Sequence, residues 1–163
     1  MNADIGDPIS EARRQWEAHG WAKAAPGMAA VTTIVRVNQI LMARIDAVLR
    51  PHALTFARFE VLRLLAFTRT GGLPMGKLTV RLQVHPASVT NAVDRLEADG
   101  LVTREPNPRD SRSTIAKILP PGRRRLEPAT KDLNELFGAI GSSRQLDQLT
   151  AALGELGRRG EAL

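Results

Sequence analysis

Cysteine is absent from this 163-residue chain, and so is tyrosine. Without a thiol the protein can form no disulfide, no iron–sulfur cluster and no thiolate zinc site, and it cannot sense peroxide by thiol oxidation. Aromatic residues make up 4% of the sequence, too few for the stacking platform on which single-stranded nucleic acid is held. The three histidines, His19, His52 and His85, lie far apart with no short metal-ligand spacing, so neither a metal nor a cofactor is expected. No uninterrupted apolar run nears the roughly 18 residues that span a bilayer. The opening MNADIGDPIS is acidic and polar, unlike a secretory signal. The expectation is therefore a cytoplasmic protein with no membrane contact. Enzyme signatures are missing too: there is no nucleophile–base spacing and no carboxylate pair in an apolar setting, and Gly71-Gly72 lacks the Lys-Ser/Thr that a phosphate-cradling loop needs. The chain is not expected to be an enzyme.

What is present is enough apolar material for a core, 43% hydrophobic against 25% charged residues, and a net charge of +6. The charge is concentrated. Between residues 101 and 125, seven basic side chains (Arg104, Arg109, Arg112, Lys117, Arg123, Arg124, Arg125) face two acidic ones, a local +5, whereas residues 126–163 sum to −2. A short basic region of this kind suits a polyanion.

The first 27 residues form an appended arm, with Ser10 as the expected N-cap of a short helix that Gly20 and Pro26 interrupt. From Met28, Val31, Ile34, Val35, Leu41, Met42, Ile45, Val48 and Leu49 recur at helical spacing until Pro51. Thr55 is a plausible cap for FARFEVLRLLAF, which is apolar on most sides and hence central. TRTGGLPMG reads as a turn-rich connection and KLTVRL as a two-turn helix. After the tight turn QVHP, Pro86 fits a first helical position, Val89, Val93 and Leu96 mark a buried stripe, and Gly100 suits a left-handed stop. LVTRE and STIAKIL are strand-like and flank PNPRDSR, which makes a hairpin with a long tip. Two helices follow PPG, striped by Leu126, Leu133, Leu136, Phe137 and Ile140, then by Leu146, Leu149, Leu153 and Leu156.

Short helix, turn and helix make a helix-turn-helix, and the hairpin behind it makes a wing. The second helix, about 86–99, carries small hydrogen-bonding residues, Ser88, Thr90 and Asn91, at its leading end, opposite the apolar stripe. Serine and threonine bond phosphates or base edges, and asparagine pairs bidentately with adenine, so this end suits a DNA major groove. The wing, about 106–112, offers Arg112 for a narrow minor groove, with Asp110 two residues earlier to orient the guanidinium. Arg104 and Arg109 are expected on phosphates. The fold class expected is mainly α with a small β-hairpin wing. It divides into an arm (1–27), a helical dimerisation region (28–54 and 120–163) and a winged helix-turn-helix lobe (55–119).

The stretch SVTNAVDRLEADGLVTREPNPRDSRSTIAKILPPGR resembles the pattern of the MarR family of winged-helix transcriptional regulators: recognition helix, Asp-Arg-Leu-Glu, Gly-Leu-Val, a wing with Asp-x-Arg, and a strand closing into a glycine-containing turn. The resemblance runs from about Met28 to the C-terminus. It implies a homodimer, built from the first and last helices, that binds a pseudo-palindromic double-stranded operator, with Ser88, Thr90 and Asn91 in the major groove and Arg112, oriented by Asp110, in the minor groove. One departure is Leu119-Pro120-Pro121, where the family often has Leu-Thr-Pro and thus a threonine cap. Members of the family commonly bind small anionic or phenolic effectors, which suggests a ligand-responsive repressor. The arm, with ARRQW, further resembles urate-responsive members, which would set Trp16, Glu60 and Arg95 around a ligand; Glu60 stands where an aspartate is expected. The alternative is a winged-helix protein–protein interaction module whose basic face meets an acidic protein rather than a duplex.

Overall fold

Helix α1 (Pro8–Ala18) starts two residues before the expected Ser10. Its cap is Asp7, whose carboxylate accepts the N–H of Ile9 at 3.3 Å and of Ser10 at 3.2 Å, and the Ser10 hydroxyl at 2.7 Å. The Ser10 hydroxyl, followed by these amides, holds the Asp7 carboxyl below its ordinary pKa. Pro8 sits in the first turn, where its missing N–H costs nothing. The computed structural model describes residues 7–162, so residues 1–6 of the arm, and with them most of the opening read for a signal, lie outside the described residues.

Two compact units, Met1–Ala47 and Val48–Leu163, make up the chain. The first holds α1 and most of α2 (Ala25–Leu49), which run up to and away from a left-handed Gly20. Pro26 does not merely interrupt the arm but lies in the first turn of α2. Trp16 and Trp21 meet edge to face with centroids 5.2 Å apart. Along α2, Val31, Ile34, Val35, Val37 and Ile40 are all exposed. Together with the turn after it, Ala25–His52, α2 is long and apolar enough, at a mean hydropathy of 1.2 over 18 residues, to cross a membrane by length and composition. A search for uninterrupted apolar runs misses this because Arg36, Asn38, Gln39 and Arg44 punctuate the helix. Each arginine placed at a bilayer centre would cost about 2.5–3.5 kcal/mol.

In the second unit a 3₁₀ turn, Arg50–His52, follows α2 at Pro51. Helix α3 (Phe56–Ala66) is capped by Thr55 as expected and buries Phe59, Val61, Leu62 and Leu65. Helix α4 (Met75–Leu82) ends on a left-handed Gln83, and α5 (Pro86–Ala98) buries Val89, Ala92, Val93 and Leu96. Gly100, at φ +67°, turns the chain into β2 (Val102–Pro106), which pairs antiparallel with β3 (Thr114–Ile118). A third strand, β1 (Gly72–Pro74), flanks β3 on its other side, in register from Gly72 opposite Lys117 to Pro74 opposite Ile115. The sequence reads this segment as a plain connection because three residues are too few to show alternation.

Helix α6 (Pro120–Ala139) begins directly after Leu119, without a side-chain cap. Pro120 and Pro121 have no N–H to leave unpaired, so the missing threonine costs little. The Leu119 N–H donates to the Leu101 carbonyl at 2.9 Å, and a Cβ on Gly122 would stand 2.3 Å from that same oxygen. Only glycine lets α6 approach so closely. Leu126, Ala129 and Leu133 of α6 are buried, and the His52 ring nitrogen lies 2.7 Å from the Asp132 carboxylate. Helix α7 (Ser143–Glu161) starts with a Ser142/Gln145 capping box and buries none of its residues; Leu149, Leu153 and Leu156 are exposed. The boundary between the two compact units falls at 47/48, and the buried stripe of α6 packs on α3.

Candidate nucleic-acid interface

Helix α5 is anchored on one side and bare on the other. Its N-cap is His85, whose ring nitrogen accepts the Ala87 N–H at 3.2 Å, and Pro86 opens the first turn. With Val89, Ala92, Val93 and Leu96 turned inward, Ser88, Thr90 and Asn91 are left exposed. The amides of Ala87, Ser88 and Val89 are already bonded to His85, so what this end offers an anion is the helix dipole.

Arg104, expected on phosphates, is paired within the chain. From β2 its guanidinium donates to Asp94 Oδ1 at 2.5 Å, to Glu97 Oε2 at 2.5 Å and to the Thr90 carbonyl at 3.4 Å. Its backbone N–H donates to the other Glu97 oxygen at 3.0 Å. Partial burial alone lowers the guanidinium's pKa, but the hydrogen bonds from Asp94 and Glu97, and then their charges, outweigh it and raise the pKa above its ordinary value. Arg104 is therefore a strut that fastens the wing to the bare side of α5. Sequence reasoning missed Asp94 and Glu97, although their i, i+3 spacing puts both carboxylates on one helix face. It also missed Arg58, whose guanidinium meets Asp99 at 3.1 Å and ties α3 to the end of α5.

The wing tip, residues 107–113, is held by local bonds. Asn107 Oδ1 accepts the Arg109 N–H at 3.1 Å and Asp110 Oδ1 accepts the Arg112 N–H at 3.0 Å, two Asx turns in succession. Asn107 also donates to the Ser113 hydroxyl at 2.6 Å. The Asp110 carboxylate, expected to orient the Arg112 guanidinium, accepts the Arg112 backbone N–H, and among the described residues no ion pair joins the two side chains. Arg109, Asp110 and Arg112 are all exposed.

Of the three residues read as ligand-binding, the two in the second unit line different concavities. Trp16 belongs to the first unit, on α1. In the second unit, Glu60 lines a groove with Phe56, Phe59, Arg63, Arg81 and Phe137, while Arg95 lines a cleft with Thr55, Arg58, Ser88 and Asn91. Burial pushes the Glu60 carboxyl above its ordinary pKa. Beside it, Arg63 hydrogen-bonds the Thr130 hydroxyl and lies over the Phe67 ring, yet its buried Nε has no partner among the described residues. No group of three or more possible metal ligands exists among the described residues.

Known proteins match both the order of elements and the sequence. Residues 54–114 fit the MarR family model. The HTH-type transcriptional regulator YdgJ of Bacillus subtilis is 27% identical over 96 residues, 59% of this chain and 56% of that protein, so the match spans little more than half the curated relative. A MarR mutant from E. coli, solved in complex with operator DNA, is 26% identical and superposes with a TM-score of 0.67 over 77% of this chain and 91% of that one. Sco5413, a MarR family transcriptional regulator from Streptomyces coelicolor, is 45% identical, with a TM-score of 0.74 over 85% of this chain and 97% of that one. With identity at that level carried across nearly the whole of a solved member, this chain belongs to the MarR family of winged-helix transcriptional regulators.

Proposed function

We propose that the chain works as a homodimeric, ligand-responsive repressor in the cytoplasm that grips a double-stranded operator with two recognition helices and two wings. The observation that carries this reading is the strut: Arg104 holds an arginine-tipped wing against a helix whose exposed end is small and polar. Capture begins with the exposed charges of Arg109 and Arg112, which give affinity without sequence preference. Ser88, Thr90 and Asn91 then read base edges in the major groove, and Arg112 enters the minor groove, where a narrow A·T-rich stretch concentrates negative potential.

Two copies are needed because one reads only half a site. The exposed stripes on α2 and α7 support dimerisation, and recognition helices roughly 34–36 Å apart would meet successive major grooves on one face of the duplex. Some members of the family bind small molecules such as phenolics. Here the groove around Glu60 supports an effector of that class. Phe56, Phe59 and Phe137 offer ring faces, and Arg63 and Arg81 offer charge to a phenolate or carboxylate. A ligand that binds better to the form unsuited to DNA would release the operator.

Selection of bound sites from random duplexes tests the reading. The expected product is a two-half-site sequence whose affinity falls steeply with salt. Arg112→Ala should weaken binding to it by about 1–3 kcal/mol and relax preference at the A·T-rich position. Recovery of no preferred duplex would return the chain to the protein-interaction reading.

A further inference from the structure

The three-stranded sheet has a second face. Leu73, Ala116 and Arg104 stand in one row across β1, β3 and β2. Leu73 and Ala116 are buried and Arg104 reaches α5, so this row points toward the helices. Side chains alternate along a strand. The neighbouring rows, Pro74–Ile115–Glu105 and Gly72–Lys117–Thr103, therefore show on the opposite face, away from α5. The first turn of α4, with Lys77, and the wing tip, with Arg109, wall that face into a trough of about 570 Å³. This size lies within the roughly 300–1,000 Å³ of sites that take small organic molecules.

The floor of the trough is apolar and its rim is cationic. Pro74 and Ile115 stand side by side on paired strands, and Gly72 adds no side chain to fill the space above them. A Cβ at Gly72 would crowd Ile115 Cγ2 at 3.1 Å. Lys77, Arg109 and Lys117 line the trough against one carboxylate, Glu105. Lys117 meets that carboxylate at 3.4 Å with both side chains about half in water, a weak pair. Lys77 and Arg109 have no ion pair among the described residues. Strands about 4.8 Å apart make a three-stranded floor about 10 Å wide, which suits a plate of two fused rings. A phosphodiester strand would meet the charges and leave Pro74 and Ile115 wet; an apolar plate with one carboxylate matches both. We propose that this trough binds a small aromatic carboxylate, with its rings on Pro74 and Ile115 and its charge held by the Lys77 and Arg109 rim. The site is separate from the groove around Glu60 and from the exposed surface of α5. Only its effect on DNA rests on the duplex-binding reading above: a carboxylate that engages Arg109 takes this arginine from the operator.

The test titrates 2-naphthoate and its neutral analogue 2-naphthamide into the whole isotope-labelled chain, with backbone amide shifts mapping where each binds. The carboxylate should move the amides of Gly72, Lys77, Ile115 and Lys117, and the neutral amide should bind about tenfold more weakly. Lys77→Gln should weaken 2-naphthoate binding about fivefold. Lys131→Gln, the same loss of charge at an exposed position on α6, should leave it unchanged. No shift on the sheet, or shifts confined to Phe59, Glu60 and Phe137, would overturn the proposal. So would equal binding of the two probes, or an equal loss in the two lysine variants. A duplex enriched from random sequences gives the second readout: 2-naphthoate should weaken its binding to the unaltered chain, and less so to Lys77→Gln. A chain that binds 2-naphthoate in the trough but no duplex would sink the regulator reading and leave the site standing.

Discussion

The recognition helix and the wing tip face the same solvent but are built in opposite ways. Helix α5 owes its position to tertiary packing: four buried apolar side chains hold it from below, and Arg104 and Arg58 brace it from neighbouring elements. Residues 107–113 have no such packing; their shape comes from two Asx turns and the Asn107–Ser113 bond, all within the tip. The first region is rigid because the fold is rigid. The second is rigid only over the span of its own hydrogen bonds, so it keeps its curvature while depending on β2 and the Arg104 strut for its place.

The largest way to break that contrast is Leu96→Ala. Leu96 is fully buried, so its truncation should cost about 2–5 kcal/mol of stability in denaturant unfolding and take α5 and the wing together. Arg104→Ala should separate them. With Asp94 and Glu97 half in water, the stability lost is about 1 kcal/mol, but the selected operator should lose its minor-groove preference while the major-groove positions stay. If site selection returned an unchanged operator, the strut would have no part in recognition. Asp110→Ala removes one solvent-exposed backbone bond, which orders the tip locally rather than the fold as a whole. It should weaken operator binding without moving the melting temperature, since nothing packs on the tip; a marked drop in melting temperature would contradict the view that the tip is only locally organised.

Outside both regions, Glu60 offers the smallest effect. Its folded-state pKa is raised by burial, so the folded protein holds the proton at pH values where the unfolded chain has released it. Stability should therefore decline gently as pH rises from the ordinary carboxylate range to just above it, and Glu60→Gln should flatten that decline in pH-dependent melting.

Packing-driven structure was legible in the chain because apolar periodicity records it. The stripe Val89, Val93 and Leu96, the cap at Thr55, and the stops at Pro51 and Gly100 all appear where the residues imply them. What stayed hidden depends on partners far apart in sequence. Strand β1 exists because β3 offers it an edge, and Arg104 is held because Asp94 and Glu97, ten and seven residues earlier, converge on it. A charge count cannot tell a tethered arginine from a free one. At Asp110 the partner is local: an aspartate two residues before an arginine suggests an ion pair, and the main-chain N–H is the nearer donor.

The junction at Leu119 has a mechanical consequence. Strand β3 ends at Ile118 and α6 starts at Pro120, leaving a single residue between them, followed by two rings with locked φ and pinned to Leu101 by its own N–H. Such a joint has almost no free torsion, so it transmits motion instead of absorbing it. A rolling of α6 by even a few degrees would swing the hairpin like the arm of a crank, which makes this one-residue elbow the shortest mechanical route from the long helix to the arginine at the tip.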